Sequence, residues 1–289
     1  MMDVGELISE VRRLEIRTRR VVDDLVGGAY RSRFKGRGIE FEEVREYAFG
    51  DDVRDIDWNV SARMGAPFVK KYVEERELQV VLAADVSASG LFGSGAKTKL
   101  RTQAEIAALL SLSAVRNRDK VGMITFSDRV EKHLPVRGGR AHVLRMLREL
   151  VATEPRGRGT NLAEALTRLR RSLKRRSVIF VISDFLDSSE GQADALGMLA
   201  RRHDVVLVRT EDPAELAPPF AGTWNLADAE TSARGVIHGN ARARGLWAET
   251  AARERDAFAR EAARAGAELI SVRCGEDLVR PFVKFFRER

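Results

Sequence analysis

The chain has 289 residues, 44% hydrophobic and 32% charged, a balance that supports a sizeable core and excludes a disordered polymer. A lone cysteine, Cys274, excludes an internal disulfide framework and a cysteine-rich zinc site; it follows the apolar Leu269, Ile270 and Val272 and reads as a small core residue. The net charge of +7 is local, since residues 137–176 carry 12 basic and 3 acidic side chains while residues 1–77 carry 15 and 17.

In chain order, Leu7, Val11, Leu14, Thr18, Val21 and Leu25 form a one-sided stripe that predicts a helix over 5–25, ended by Gly27 and Gly28. Residues 29–77 lack a clear period and are rich in charge and glycine, which predicts short strands and loops. From residue 78 the pattern becomes an alternation. Strands are expected at 78–84, 121–126, 131–136, 178–182, 205–208 and 268–272, and helices at 99–116, 141–151, 161–173, 193–201, 245–265 and 276–287. Residues 211–243, with Pro213, Pro218 and Pro219, read as an insertion holding a hairpin over 223–226 and 235–238. Strands alternating with helices predict an α/β fold with a doubly wound, mostly parallel sheet. The domain organisation expected is a segment at 1–77 followed by one large domain over 78–289. No leader-type stretch opens the chain and no run of about 18 apolar residues occurs, so a cytoplasmic protein without a membrane span is expected.

Chemistry concentrates at three places. The first core strand ends Asp85-Val86-Ser87-Ala88-Ser89, and in extended geometry positions 85, 87 and 89 face the same way. The strand at 178–182 runs into Ser183-Asp184. Between them, Gly157-Arg158-Gly159-Thr160-Asn161 brings a hydroxyl to a helix start. Ligands of open α/β sheets gather at the carboxyl ends of strands, where the strand order reverses. Carboxylates and hydroxyls, without His or Cys, suit a hard divalent cation, Mg²⁺ or Mn²⁺, that keeps an open position for a partner's acid.

These residues resemble the metal-ion-dependent adhesion site of von Willebrand A domains, with Asp85, Ser87, Ser89, Thr160 and Asp184 at the five positions. Upstream, Phe41-Glu42-Glu43-Val44-Arg45-Glu46-Tyr47, Gly50-Asp51-Asp52-Val53-Arg54-Asp55-Ile56-Asp57-Trp58, Ala62-Arg63 and Pro67-Phe68-Val69-Lys70 resemble the bacterial and archaeal family called domain of unknown function 58. The resemblance implies a non-enzymatic binding module that works beside a MoxR-type AAA+ ATPase in assembling or activating a client protein. Read without it, the acids and arginines of 40–77 are expected to form a salt-bridged, turn-rich layer, with Trp58 and Phe68 as anchors packed on the sheet; the alternative is a docking surface for the partner ATPase.

Three other readings compete with this one. Gly90-Leu-Phe-Gly-Ser-Gly95-Ala96-Lys97-Thr98 nearly spells a phosphate-binding loop, but Ala96 is one residue too many, and the slip turns Lys97 away by about 100°. An aspartyl phosphatase wants a second acid two residues after the first, where Ser87 stands. Nucleic-acid binding through 137–176 lacks interleaved aromatics, and some of its cations complement a helix end. The four histidines (His133, His142, His203, His238) are scattered. If the loops at the carboxyl end of the sheet gather the charge of 137–176, the metal would sit in a positive collar.

Overall fold

The computed structural model describes Gly5, Ser9 and residues 40–289, apart from 74–76, 155, 187–189, 219–221 and 288–289. The helix expected over 5–25 lies, but for Gly5 and Ser9, outside the described residues. Those described fall into two compact units, one within 35–78 and one over Gln79–Arg289.

In the smaller unit, β1 (Glu40–Glu46) pairs antiparallel with β2 (Phe68–Val73), and the segment between them holds a 3₁₀ turn at Val53–Asp55 and helix α1 (Trp58–Met64). The acids of this segment terminate backbone structure. Asp51 pairs with Arg45 at 2.7 Å and accepts the Ala48 N–H at 2.8 Å. Asp52 accepts from the Arg54 N–H, and Asp57 caps α1 by accepting from Asn59 and Val60. Gly65, at φ +72°, closes the helix in the left-handed conformation that a side chain would strain. Two expectations change here. The segment holds a helix as well as strands and loops, and Trp58 is 67% exposed rather than a buried anchor.

The larger unit is a three-layer α/β sandwich. Its strands are β3 (Gln79–Asp85), β4 (Lys120–Phe126), β5 (Val130–Arg137), β6 (Val178–Ser183), β7 (Asp204–Glu211) and β10 (Glu268–Arg273), in the order β10-β7-β6-β3-β4-β5. Pairing is parallel throughout, except that β5 returns antiparallel to β4 at the edge. The helices are α2 (Lys99–Arg116), α3 (Arg140–Val151), α4 (Leu162–Ser172), α5 (Gln192–Ala200), α6 (Pro213–Leu216), α7 (Ala241–Arg264) and α8 (Val279–Arg287). A hairpin of β8 (Gly222–Ala227) and β9 (Arg234–Gly239) precedes α7.

β6 is buried along its whole length, which is why it reads as an unbroken apolar run rather than an alternation. Val81, Ala83, Ile179, Val181 and Leu207 turn to one face and pack on Leu162, Leu166 and Leu169 of α4 and Leu196 and Leu199 of α5. Successive residues of a strand point oppositely, so Leu82 and Phe180 face the other side, where α2 lies against β3, β4, β6 and β7. Small residues on α2 (Ala104, Ala107, Ala108) let it approach closely, and nearly all of its length is buried. The chain leaves β3 for β4 on one side and later places β6 on the other, so the order reverses at β3. The crevice above the carboxyl end of β3 is therefore the natural ligand position.

Candidate metal centre

Asp85 closes β3 beneath that crevice and is only 2% exposed. Its Oδ1 accepts the Ser87 N–H at 2.8 Å and its Oδ2 the Ser183 hydroxyl at 2.6 Å. No cation stands against it among the described residues. Burial pushes this carboxyl up to about 6, the negative charge of Asp184 adds to the rise, and the Ser183 and Ser87 hydrogen bonds oppose it. The hydroxyls of Ser87 and Ser89 are 3.0 Å apart. Asp184, 5% exposed, follows β6, and Phe185 after it takes φ +52°, a strained left-handed conformation that turns the chain sharply beyond the carboxylate. The Phe185 ring stacks on Phe258 of α7 at 4.8 Å, packing that holds the turn.

The loop carrying Thr160 is fixed from both sides. Glu131 Oε1 accepts from the Ser127 hydroxyl at 2.6 Å, the Arg156 N–H at 2.8 Å and the Gly157 N–H at 3.1 Å. The Ala88 N–H donates to the Arg158 carbonyl at 3.1 Å, stitching this loop to the Ser87–Ser89 turn. Asn161 caps α4 by accepting from the Glu164 N–H. The Thr160 hydroxyl itself donates to Glu230 Oε1 at 2.9 Å, on the tip of the β8–β9 hairpin. Asp85, Ser87 and Ser89 are thus drawn together directly, Asp184 lies near enough for its charge to act on Asp85, and the loop carrying Thr160 is tied to the Ser87–Ser89 turn.

Sequence reasoning missed Lys99. Its ammonium, 1% exposed at the start of α2, sits 2.6 Å from Asp184 Oδ2 and 2.6 Å from Glu215 Oε1. Burial alone would lower its affinity for a proton, but the two carboxylates outweigh burial and raise it, so the lysine stays charged. Glu215 is in turn held by α6, whose first turn is a capping box between Asp212 and Glu215. Asp184 therefore already has a cation partner, whereas Asp85 has none among the described residues.

That asymmetry fits a divalent ion. A buried carboxylate with no positive neighbour is costly, and two hydroxyls beside it supply the neutral oxygens that a hard cation takes. Among the described residues no three or more His, Cys, Asp and Glu are already gathered as a metal-holding group, so an ion here would rely on hydroxyls as well as acids.

The glycine loop after Ser89 has a structural cause. The Ser94 N–H and hydroxyl both donate to the Asp212 carboxylate, so an acid occupies the crown where a phosphate would have to sit. A Cβ on Gly93 would come within 2.8 Å of the Lys97 carbonyl and of the Thr98 Cα. Because backbone must shift to relieve that clash, Gly93→Ala is expected to cost about 1–3 kcal/mol. Urea titration checks this, and an unchanged midpoint would refute the close approach.

The positive collar is corrected by the topology. α3 climbs toward the carboxyl ends of the strands and α4 descends from them. Arg137 and Arg140 therefore lie at the opposite end of the sheet, as do Arg170, Arg171, Lys174, Arg175 and Arg176. Arg176 is spent on Asp204 at 2.7 Å. Of the basic residues in 137–176, Arg156 and Arg158 are those in the loop beside the site.

A six-stranded, mostly parallel sheet flanked by helices, with its crevice at the strand reversal, defines a von Willebrand A-like domain. BatB from Bacteroides thetaiotaomicron has the same fold at a TM-score of 0.50 and 20% identity, over 73% of this chain and 100% of that one. An aerotolerance-related membrane protein from Bacteroides fragilis superposes with a TM-score of 0.50 and 20% identity, covering 73% of this chain and 97% of that one. The chain belongs to the family described as Protein of unknown function DUF58, which matches residues 43–257. An uncharacterised protein of Mycobacterium tuberculosis is 31% identical over 290 residues, spanning 100% of this chain and 91% of that protein. An uncharacterised Mycobacterium avium protein is 35% identical over 159 residues, 54% of this chain and 93% of its own length. Among the described residues, no helix is long and apolar enough to cross a membrane.

Proposed function

We propose that this chain is a non-enzymatic, metal-dependent protein-binding module. Asp85, Ser87, Ser89, Thr160 and Asp184 would hold Mg²⁺ or Mn²⁺, and the ion would supply a Lewis-acidic position that an acidic side chain of a partner completes. The observation that carries this reading is Asp85, a buried carboxylate with hydroxyls around it and no cation against it. The Lys99–Asp184 pair supports a binding role over hydrolysis, since it leaves neither group free as an acid or base. The sequence signature of 41–70 points to a MoxR-type AAA+ ATPase as the partner, with a client protein assembled or activated by the pair.

The test is a melting curve and a calorimetric titration with Mg²⁺ and Mn²⁺. At an ion concentration a hundredfold above Kd, the wild type gains about 2.7 kcal/mol. Asp85→Asn keeps the shape: its amide oxygen can still accept from Ser87, and its NH₂ can donate to the Ser183 hydroxyl, which accepts as readily as it donates. The variant is expected to fold at least as stably as the ion-free wild type, because a buried charge is removed, yet to show no ion-induced shift. A variant that keeps the full shift would end the metal reading. A pull-down of the ATPase that EDTA leaves unchanged would end the docking reading.

A further inference from the structure

The tip of the β8–β9 hairpin reaches the rim of the candidate centre and presents an acid there. Glu230 Oε1 accepts from the Thr160 hydroxyl at 2.9 Å. The Arg158 guanidinium donates to the carbonyl of the preceding Ala229 at 3.4 Å. Glu230 Oε2 lies 3.5 Å from the point where a Cβ on Gly159 would be, an ordinary contact distance that places the carboxylate against the Thr160 loop. Its own turn holds the acid in place. Asp228 Oδ1 accepts from the Glu230 N–H at 2.9 Å and the Thr231 N–H at 2.6 Å, and the Asp228 N–H closes the tip on Ala233 at 2.8 Å. Glu230 is half-buried, whereas Asp228, Ala229, Thr231 and Ser232 around it are exposed.

A rigid turn that offers one carboxylate to a ligand-bearing loop is the feature a docking partner would have to bring. Here it belongs to the chain itself. We propose that Glu230 is an in-chain ligand of the candidate metal centre: it takes the position of a partner's acid, and the hairpin must lift from Thr160 before that partner can dock. This rests on the metal reading given under Proposed function. It deepens that reading by naming the occupant of the open position and the chemistry of its competitor, a protein turn carrying an exposed Asp or Glu. The hairpin suits such a movement. Two strands carry little stability of their own, and their residues are mostly exposed. A competing acid gains by mass action against a local carboxylate only where it brings further contacts, so the hairpin would select partners with a matching surface over free carboxylates.

The experiment uses the full chain with Mn²⁺ as probe. Wild type, Glu230→Gln and Asp85→Asn are compared by calorimetry, by water-proton relaxation of the bound ion, and by hydrogen exchange over 222–239. In the wild type, Mn²⁺ is expected to slow exchange along the hairpin. Glu230→Gln is expected to weaken Mn²⁺ about tenfold, to raise the relaxation per bound ion as water replaces the carboxylate, and to remove the ion's effect on hairpin exchange. Asp85→Asn is expected to bind no Mn²⁺. If Glu230→Gln matches the wild type in affinity, relaxation and exchange while Asp85→Asn loses the ion, the hairpin inference falls and the metal reading stands. If the wild type itself binds no Mn²⁺, both fall.

Discussion

Lys99→Met is expected to lower the stability of the ion-free protein by about 3–5 kcal/mol, the usual result of removing one partner from a buried ion pair. The ammonium lies within 2.6 Å of two carboxylates, one of them on a residue 5% exposed, and methionine nearly matches its length without its charge. What is lost is chiefly the neutralisation of Asp184 and Glu215, whose like charges would then act on each other unopposed. Adding Glu215→Leu is expected to recover part of the loss, because it removes one of the stranded charges. Guanidinium titration of the two variants measures both effects. The same substitution bears on the metal reading. With Lys99 gone, Asp184 joins Asp85 as an acid without a cation, so the stabilisation by Mg²⁺ should grow relative to the wild type. Full stability in Lys99→Met would show that Asp184 and Glu215 do not depend on the ammonium, and a smaller ion response would place Lys99 among the groups that help hold the ion.

Much of the sandwich was legible in the sequence because parallel central strands are buried on both faces and cannot hide. Val178–Ile182 and Val205–Val208 are unbroken apolar runs, and α2 and α4 carry helical stripes long enough to identify. Boundaries failed where polar groups continue an element. β7 runs on to Glu211 because Arg209, Thr210 and Glu211 are buried, with Arg209 and Glu211 paired at 3.0 Å, and a hydrophobic pattern stops at the first charge. α8 starts at Val279, three residues later than expected, since the Asp277 side chain accepts the Val279 N–H and forms a turn before the helix. α1 spans seven residues, too few for a period, although Asp57 and Gly65 were visible as its two caps.

The candidate centre divides along a similar line. Its proposed ligands could be found because three of them lie within five residues of one strand end, and spacing alone places Asp85, Ser87 and Ser89 on one side. Lys99, Glu215 and Glu230 escaped because their partners are distant in sequence. Lys99 meets Glu215 across 116 positions, and Thr160 meets Glu230 across 70. The one local hint was Asp212-Pro213-Ala214-Glu215, the spacing of a helix capping box inside a stretch otherwise read as insertion. The charge excess of 137–176 misled for a physical reason. Composition counts a loop and the far ends of two helices as one segment, whereas the fold sends them to opposite ends of the sheet.

That capping box leads to the second large effect. Asp212 is fully buried; its carboxylate accepts the Ser94 N–H at 2.9 Å, the Ser94 hydroxyl at 2.5 Å and the Ala214 N–H at 2.9 Å. It thereby ties the loop between Ser89 and Lys99 to the short helix that carries Glu215. Asp212→Asn changes no volume but cannot keep these bonds. Its single amide oxygen can face either the Ser94 N–H or the Ala214 N–H, and in both orientations its NH₂ is turned against the other backbone donor. The hydroxyl can adapt by accepting; the backbone cannot. One lost bond to a charged acceptor and one buried donor left unpaired together cost about 2–4 kcal/mol. Asp212→Ala should cost at least as much, since it also removes the helix cap. Neither variant touches a proposed ligand, yet both loosen the segment that positions Ser89 and Lys99. Mn²⁺ affinity should therefore fall along with stability, and hydrogen exchange should quicken over 90–98 more than in α4. Denaturation, calorimetry and exchange on Asp212→Asn decide this together. If stability drops while Mn²⁺ affinity holds, the loop fastens the fold without positioning the centre, and the site would rest on β3, β6 and the Thr160 loop alone.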